Sequence, residues 1–335
     1  MLKLLFIGGT GRISAAITKR CVALGHHVYL LNRGNKSTIE GAIHLQGDIN
    51  DETHVASLIK SHGDFDAVAN FINYTPEQVE RDIRLFKGRT GQYLFISSTA
   101  AYQKPFSHYK VTESTPLHNP YWQYARDKIA CEARLMEEYR NGFPITIVRP
   151  SHTYDSNVVP VSVYGANGQW QVLKRMLENK PVLVHGDGLS LWTLTHSDDF
   201  AIGFTGLLGN IQALGEAVHI TSDESLTWDQ IYTAIGNALG VKAKPYHVAS
   251  QMLIAANPGW EGNLLGDKAY SVVFDNSKIK RLVPEYKAVI RFDTGVRRSV
   301  ETYLANPKTM QLEDQEFDRL TENVIAACES VKALL

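Results

Sequence analysis

The first 150 residues alternate short apolar runs with stretches of helical spacing. Residues 2–7 (LKLLFI), 27–31 (HVYLL), 43–46, 67–71 (AVANF), 93–97 (YLFIS) and 145–148 (ITIV) read as strands. Several are apolar at nearly every position, as strands covered on both faces are. Between them, residues 13–24, 55–61, 77–86 and 121–140 carry apolar side chains at helical intervals. Strands alternating with such helices predict an α/β fold, a doubly wound parallel sheet with right-handed crossovers. The pattern changes after Arg149. Residues 151–170 are rich in Gly, Asn, Pro and Tyr and read as a loop. Helices are expected over 171–179, 200–208 and 229–239, strands over 181–184 and 218–220, and an amphipathic helix end at the C-terminus.

The turn after the first strand is Gly8-Gly9-Thr10-Gly11-Arg12-Ile13-Ser14, and a helix follows it directly. In that context a glycine fingerprint acquires a mechanism. Gly8 permits a tight turn, Gly11 lets the backbone approach a pyrophosphate, and the helix N-terminus offers free N–H groups to the phosphates. Ser14 stands at the third glycine position and is small enough for close helix–strand packing. This predicts a dinucleotide-binding Rossmann domain over residues 1–155, joined by later elements near 185–222. A smaller α/β substrate lobe is expected mainly from 156–335.

The second strand ends Leu31-Asn32-Arg33-Gly34 and offers no carboxylate for the adenosine ribose. Arg33 could stack on adenine or pair with a 2′-phosphate, so NADP is favoured slightly over NAD. After the third strand, Asp48 could accept from the adenine amino group while Ile49 packs on the ring. A helix N-cap is the competing reading of Asp48.

Tyr124 and Lys128 lie four apart on a predicted helix and share one face. A phenol is a poor acid or base at neutral pH, and a neighbouring ammonium would stabilise its phenolate. Alone the pair is a weak signal, because it also occurs on ordinary surface helices. Ser97-Ser98-Thr99 ends the fifth strand, where open parallel sheets bind their ligands.

These features together resemble the extended short-chain dehydrogenase/reductase superfamily, also called the NAD-dependent epimerase/dehydratase family. The carrying residues are Gly8-Gly9-Thr10-Gly11, Asp48-Ile49, Ser97-Ser98-Thr99, Tyr124 with Lys128, Arg149-Pro150 and His196-Ser197-Asp198-Asp199, spread over residues 1–300. The resemblance implies Tyr124 as general acid/base and Lys128 on the nicotinamide ribose, tuning Tyr124. It implies Ser98 as the substrate-polarising hydroxyl, with Thr99 as the alternative. Pro150, Ser151 and His152 fall where the family holds the nicotinamide carboxamide. His196 falls near the cleft, as a substrate contact or a structural hydrogen bond. Asp198-Asp199 reads as the cap of the helix that follows.

One departure bears on substrate. Nucleotide-sugar members carry an Arg about seven residues before the last Asp of that motif, and Trp192 stands there. Tryptophan cannot pair with a diphosphate but could stack on a sugar face. The expected activity is hydride transfer at a carbinol or carbonyl carbon of a sugar-like small molecule, with a net NADPH-dependent carbonyl reductase as the alternative. Residues 186–239 and the Asn32–Gly34 turn also resemble chloroplast stem-loop RNA-binding proteins. That group lacks the active-site tyrosine that this chain keeps. A non-catalytic cofactor-sensing or RNA-binding protein is the alternative of another class.

Composition narrows the rest. The 335 residues are 44% hydrophobic and 21% charged, which excludes a disordered or fibrous chain. The formal net charge of −1 gives no electrostatic footprint for nucleic acid. There is no apolar run of membrane-spanning length and no signal-peptide pattern. The three cysteines are odd in number and far apart, which fits a reducing, cytoplasmic setting. No His or Cys spacing points to a metal. A homodimer is an expectation from the family resemblance alone.

Overall fold

The computed structural model describes residues 1–34 and 38–333. In chain order the first half gives β1 (Lys3–Ile7), α1 (Arg12–Ala23), β2 (His27–Asn32), β3 (Ile43–Gln46), α2 (Glu52–His62), β4 (Ala67–Asn70), α3 (Pro76–Phe86), β5 (Tyr93–Ile96), β6 (Lys110–Val111), α4 (Gln123–Arg140) and β7 (Ile145–Pro150). The second half adds β8 (His152–Tyr154), α5 (Trp170–Leu177), β9 (Val182–His185), β10 (Leu191–Trp192), β11 (Leu194–His196), α6 (Ser197–Leu207), β12 (Ala217–Ile220), β13 (Leu226–Thr227), α7 (Trp228–Leu239) and β14 (Pro245–Val248).

One seven-stranded parallel sheet organises the molecule, in the order β12-β7-β5-β4-β1-β2-β3. The order reverses between β1 and β4, the point at which open α/β sheets leave a crevice at the carboxyl ends of their strands. The register brings those ends level, with Ile7 opposite both Leu31 and Asn70.

Period-two alternation explains why the strands are apolar throughout. Leu4 and Phe6 of β1 pack with Ile17 and Cys21 of α1 and with Phe200 and Phe204 of α6. Leu5 and Ile7 point the other way, into Val55 of α2, Val79 of α3 and Leu135 of α4. A separate apolar cluster holds the later elements around Trp192, Trp228, Tyr232 and Phe292.

The residues expected to form a loop over 151–170 instead include β8, which pairs in parallel with β11. Two further helices, Phe292–Ala305 and Gln315–Lys332, complete the second cluster. Among the described residues no helix is long and apolar enough to cross a membrane.

Candidate active site

The glycine turn sits at the carboxyl end of β1. Gly8 has φ +78°, and a Cβ on it would lie 2.6 Å from Ile72 Cγ2. At Gly9 a Cβ would lie 2.5 Å from Leu30 Cδ2. Only glycine fits these two positions. Gly11 is the N-cap of α1 and has extended backbone. The nearest atom to a Cβ there would be Ser14 Oγ, at 3.3 Å, so its face is open on the cleft side.

Ser14 does more than stay small. Its hydroxyl donates to Gly8 O at 2.8 Å and accepts from Gly11 N at 2.8 Å. Thr18 Oγ1 donates to Gly9 O at 2.9 Å. Side chains from α1 therefore fix the turn. The first N–H groups of the helix have no intrahelical acceptor and face the crevice.

A cleft of about 570 Å³ runs from this turn past Asn32 and Arg33 to Asp48 and Ile49, and across to Tyr74. Asn32 Oδ1 accepts from Gly34 N at 2.9 Å, which turns the chain just after β2. Arg33 is exposed at the rim. Ile49 is buried, and one Asp48 carboxylate oxygen accepts from both Asn50 N and Asn50 Nδ2. The residues present suit an extended dinucleotide: a rigid glycine turn, a positive helix end, an apolar seat and a basic rim.

A second hollow of about 350 Å³ adjoins the first at Arg12 and Ile13. Ser98, Thr99, Tyr124, Pro150 and His152 line it. Ser98 Oγ accepts from Ala100 N at 3.1 Å, capping the short turn after β5, and faces the Tyr124 phenol. Tyr124 stands in the first turn of α4 beside Trp122, with ring centroids 4.8 Å apart.

Lys128 lies one turn further and one layer deeper, only 3% exposed. Its Nζ donates to Ile96 O at 2.6 Å and to Asn73 O. The rings of Tyr74, Phe95 and Tyr124 surround it, at 4.9, 4.8 and 5.7 Å from their centroids.

Burial dominates the charge states here. It pushes the Tyr124 phenol up to about 12, although the Ser98 hydroxyl pulls it down. It also pushes the Lys128 ammonium down to about 8. Lys128 is not among the groups that shift the phenol, so the lowering expected from that ammonium is not seen. The ammonium is spent on two carbonyls below the ring, and the phenol is held protonated at neutral pH.

His152 accepts from Trp192 Nε1 at 3.1 Å through Nδ1. Indole can only donate, so the imidazole carries its proton on Nε2. Burial holds its pKa well below the usual histidine value, so the ring is neutral.

Two expected substrate contacts are corrected. Trp192 is 4% exposed and packs on Trp228, with centroids 5.8 Å apart. The antiparallel pairing of β10 with β13 turns its ring into the second cluster, so it offers no open face. His196 is equally buried, and its Nδ1 accepts from Asp198 N at 3.2 Å, capping α6. The helix starts immediately after β11, so the imidazole folds back onto it. This also displaces the acidic cap: Asp199 instead accepts from Ile290 N at 2.8 Å.

Asp267 is a residue that sequence reasoning missed. It enters the second hollow from the π-helical turn Leu264–Lys268, whose irregular winding leaves no local pattern in the sequence.

The model of the NAD dependent epimerase/dehydratase family matches residues 4–220. The 2'-dehydrokanamycin reductase of Streptomyces kanamyceticus is 26% identical over 290 residues, covering 85% of this chain and 80% of that protein. A chloroplast stem-loop binding protein of Arabidopsis thaliana is 27% identical over 259 residues, covering 71% of this chain and 63% of that protein. Among solved structures, an epimerase of Methanothermobacter thermautotrophicus superposes with TM-score 0.74 at 16% identity, over 92% of this chain and 94% of that one. A dTDP-glucose 4,6-dehydratase of Bacillus anthracis in complex with NAD gives 0.71 at 17%, over 92% and 98%. At those identities the superpositions speak for the fold alone. The family match covers well over half of the chain, and the chain belongs to the NAD dependent epimerase/dehydratase family, as an NAD-dependent enzyme of the short-chain dehydrogenase/reductase type.

Proposed function

We propose that the chain moves hydride at a carbinol or carbonyl carbon of a sugar-like substrate, with Ser98 and Tyr124 as its reacting pair and Lys128 positioned beneath them. One observation carries this reading. Ser98 and Tyr124 face each other in a hollow that opens directly off the glycine-turn cleft. Residues 1–155, with elements near 185–222, would hold the dinucleotide, and 156–335 would supply most of the substrate lobe.

Gly8 to Ile13 receive the pyrophosphate at the helix end. Asp48 accepts from the adenine amino group and Ile49 packs on the ring. Asn32 and Arg33 lie at the adenosine ribose, where Arg33 pairs with a 2′-phosphate and favours NADP. Pro150 and His152 wall the nicotinamide end. Bound there, the cofactor supplies or takes up the hydride. Tyr124 Oη gives a proton to the substrate oxygen, or takes it back, while the Ser98 hydroxyl orients that oxygen. Lys128 fixes the floor under Tyr124 by tying β5 to the Asn73 loop.

A second reading, net NADPH-dependent reduction of a ketone, is favoured by the protonated phenol. Tyr124 holds its proton at neutral pH, as a donor to a ketone oxygen must, although burial, by raising the phenol to about 12, makes it a weaker acid. The similarity to a protein named as a reductase points the same way.

The deciding experiment is to denature purified protein and identify any nucleotide released. Retained NAD(H) supports a closed redox cycle of the epimerase or dehydratase kind. A nucleotide-free protein that binds NADPH reversibly and oxidises it with a keto sugar supports the reductase. A protein that binds neither cofactor sinks the proposal.

A further inference from the structure

We infer that Asp267 is the substrate-recognition carboxylate of this site, taking a hydroxyl or ammonium donor on the ring of a substrate that carries no phosphate. The inference rests on the hydride-transfer reading above and deepens it.

The carboxylate is placed deliberately. The segment carrying it docks on Trp122 through two glycines. A Cβ on Gly262 would lie 2.4 Å from Trp122 Cδ1, and one on Gly266 would lie 2.9 Å from Trp122 Cβ. Asn119 Nδ2 donates to Gly266 O at 2.7 Å and holds the turn from the other side. Trp122 in turn leans on Tyr124. Asp267 is therefore registered against the reacting tyrosine, close enough for its charge to push the phenol up.

The carboxylate is also free. Among the described residues no hydrogen-bond donor reaches its oxygens, and no cation lies within ion-pair distance. The two nearby lysines are committed elsewhere. Lys268 Nζ donates to Ser162 O at 2.8 Å and Val161 O at 3.2 Å. Lys104 Nζ sits 4.1 Å from the centre of the Phe106 ring and 3.4 Å from Tyr102 O. A half-buried acceptor with no internal partner calls for an external donor.

The remaining lining fits the same substrate. Ser98, Thr99, Asn263 and the Nε2–H of His152 are neutral groups suited to hydroxyls. Tyr164, 38% exposed at the rim, offers a face to a sugar ring. Arg12, shared with the glycine-turn cleft, is among the described residues the one guanidinium lining this second hollow. A second diphosphate would meet the unpaired Asp267 with no further fork to hold it, and like charges in such a site repel.

The test uses cofactor-loaded protein and calorimetric titration with three probes: kanamycin, the neutral disaccharide trehalose, and UDP-glucose. We expect an unphosphorylated probe to bind, and Asp267→Asn to weaken it at least tenfold while cofactor affinity stays intact and the melting temperature does not fall. Kanamycin alone responding assigns an ammonium donor; trehalose alone responding assigns a hydroxyl. Tyr124→Phe should keep that binding and lose turnover of 2'-dehydrokanamycin. If UDP-glucose binds best and Asp267→Asn leaves it unchanged, or if neither unphosphorylated probe binds, the inference is overturned and the hydride-transfer reading stands. If Asp267-dependent binding is found but wild type exchanges no hydride with any keto sugar, the hydride-transfer reading fails and the recognition role survives.

Discussion

The two halves of the site are built differently. The proposed cofactor cleft comes mainly from four short segments, 8–14, 31–33, 47–50 and 71–74, each at the carboxyl end of a strand. Its shape follows from local rules, because a glycine turn, a helix end and strand register suffice to place every group. The proposed substrate hollow draws on Ser98-Thr99, Trp122, Tyr124, Pro150 to His152 and Asp267-Lys268 of the turn at 264–268. Those pieces meet only through long-range packing. The first half can be recognised from spacing. The second half has to be seen folded.

The largest expected effect separates the halves outright. Tyr124 lines the hollow and not the first cleft. Tyr124→Phe should lower kcat by about 10²–10⁴-fold, the usual worth of a positioned proton donor, and leave dinucleotide affinity within about twofold. Single-turnover kinetics beside a fluorescence titration would check it. Unchanged turnover would remove Tyr124 from the chemistry.

Gly9→Val is the converse break. Its added carbons drive into Leu30 Cδ2, which already lies 2.5 Å from the position of a Cβ, and into Phe6 behind it. Overpacking of this kind costs about 1–3 kcal/mol, and here it also displaces the turn. Dinucleotide binding should fall severely, with the overall fold retained by circular dichroism. A variant that binds NADPH normally would mean that the turn does not carry the pyrophosphate.

The same contrast explains what the sequence revealed. From β1 to α4, all but the two-residue β6 were legible, because each strand shows its apolar run and each helix its stripe. The expected boundaries differ from the observed ones by no more than a few residues. Ser98, Tyr124 and the glycine turn come together because all of them lie near the carboxyl edge of one sheet. Trp192 and His196 were misplaced for a shared reason. Family likeness gives a residue's position along the chain, whereas the direction of its side chain depends on pairing and capping. The antiparallel partner of β10 turns Trp192 inward, and the immediate start of α6 recruits His196 as a cap. In the helix Phe292–Ala305 the signal was present, since Phe292, Val296, Val300 and Tyr303 recur at helical spacing and all are buried. Asp267 left no comparable trace.

A smaller effect tests the basic rim of the first cleft. Arg33→Ala should weaken NADPH about tenfold and NADH by about twofold or less, because a 2′-phosphate loses its partner and a ribose hydroxyl does not. Equal losses would mean that Arg33 stacks on adenine rather than selecting a phosphate.

The smallest effect probes the hollow through stability. Burial pushes the Asp267 carboxyl up to about 6, although Lys104 and Lys268 pull the other way. A folded-state pKa above the unfolded value means that the folded protein holds this proton more tightly. Ionised Asp267 therefore costs stability. That penalty grows as pH rises from the ordinary carboxylate range through about 6, and is complete above it. Because the residue is half-buried, the cost is discounted to about 1 kcal/mol. Asp267→Asn removes the charge and keeps the shape, so it should raise Tm by about 2 °C at pH 8. The gain should shrink as pH falls below about 6. Recognition residues are where a protein tolerates such a cost, since the unpaired group is completed only when substrate arrives. A variant less stable than wild type at pH 8 would show that Asp267 already has an internal partner, and the substrate hollow would then lack its free acceptor.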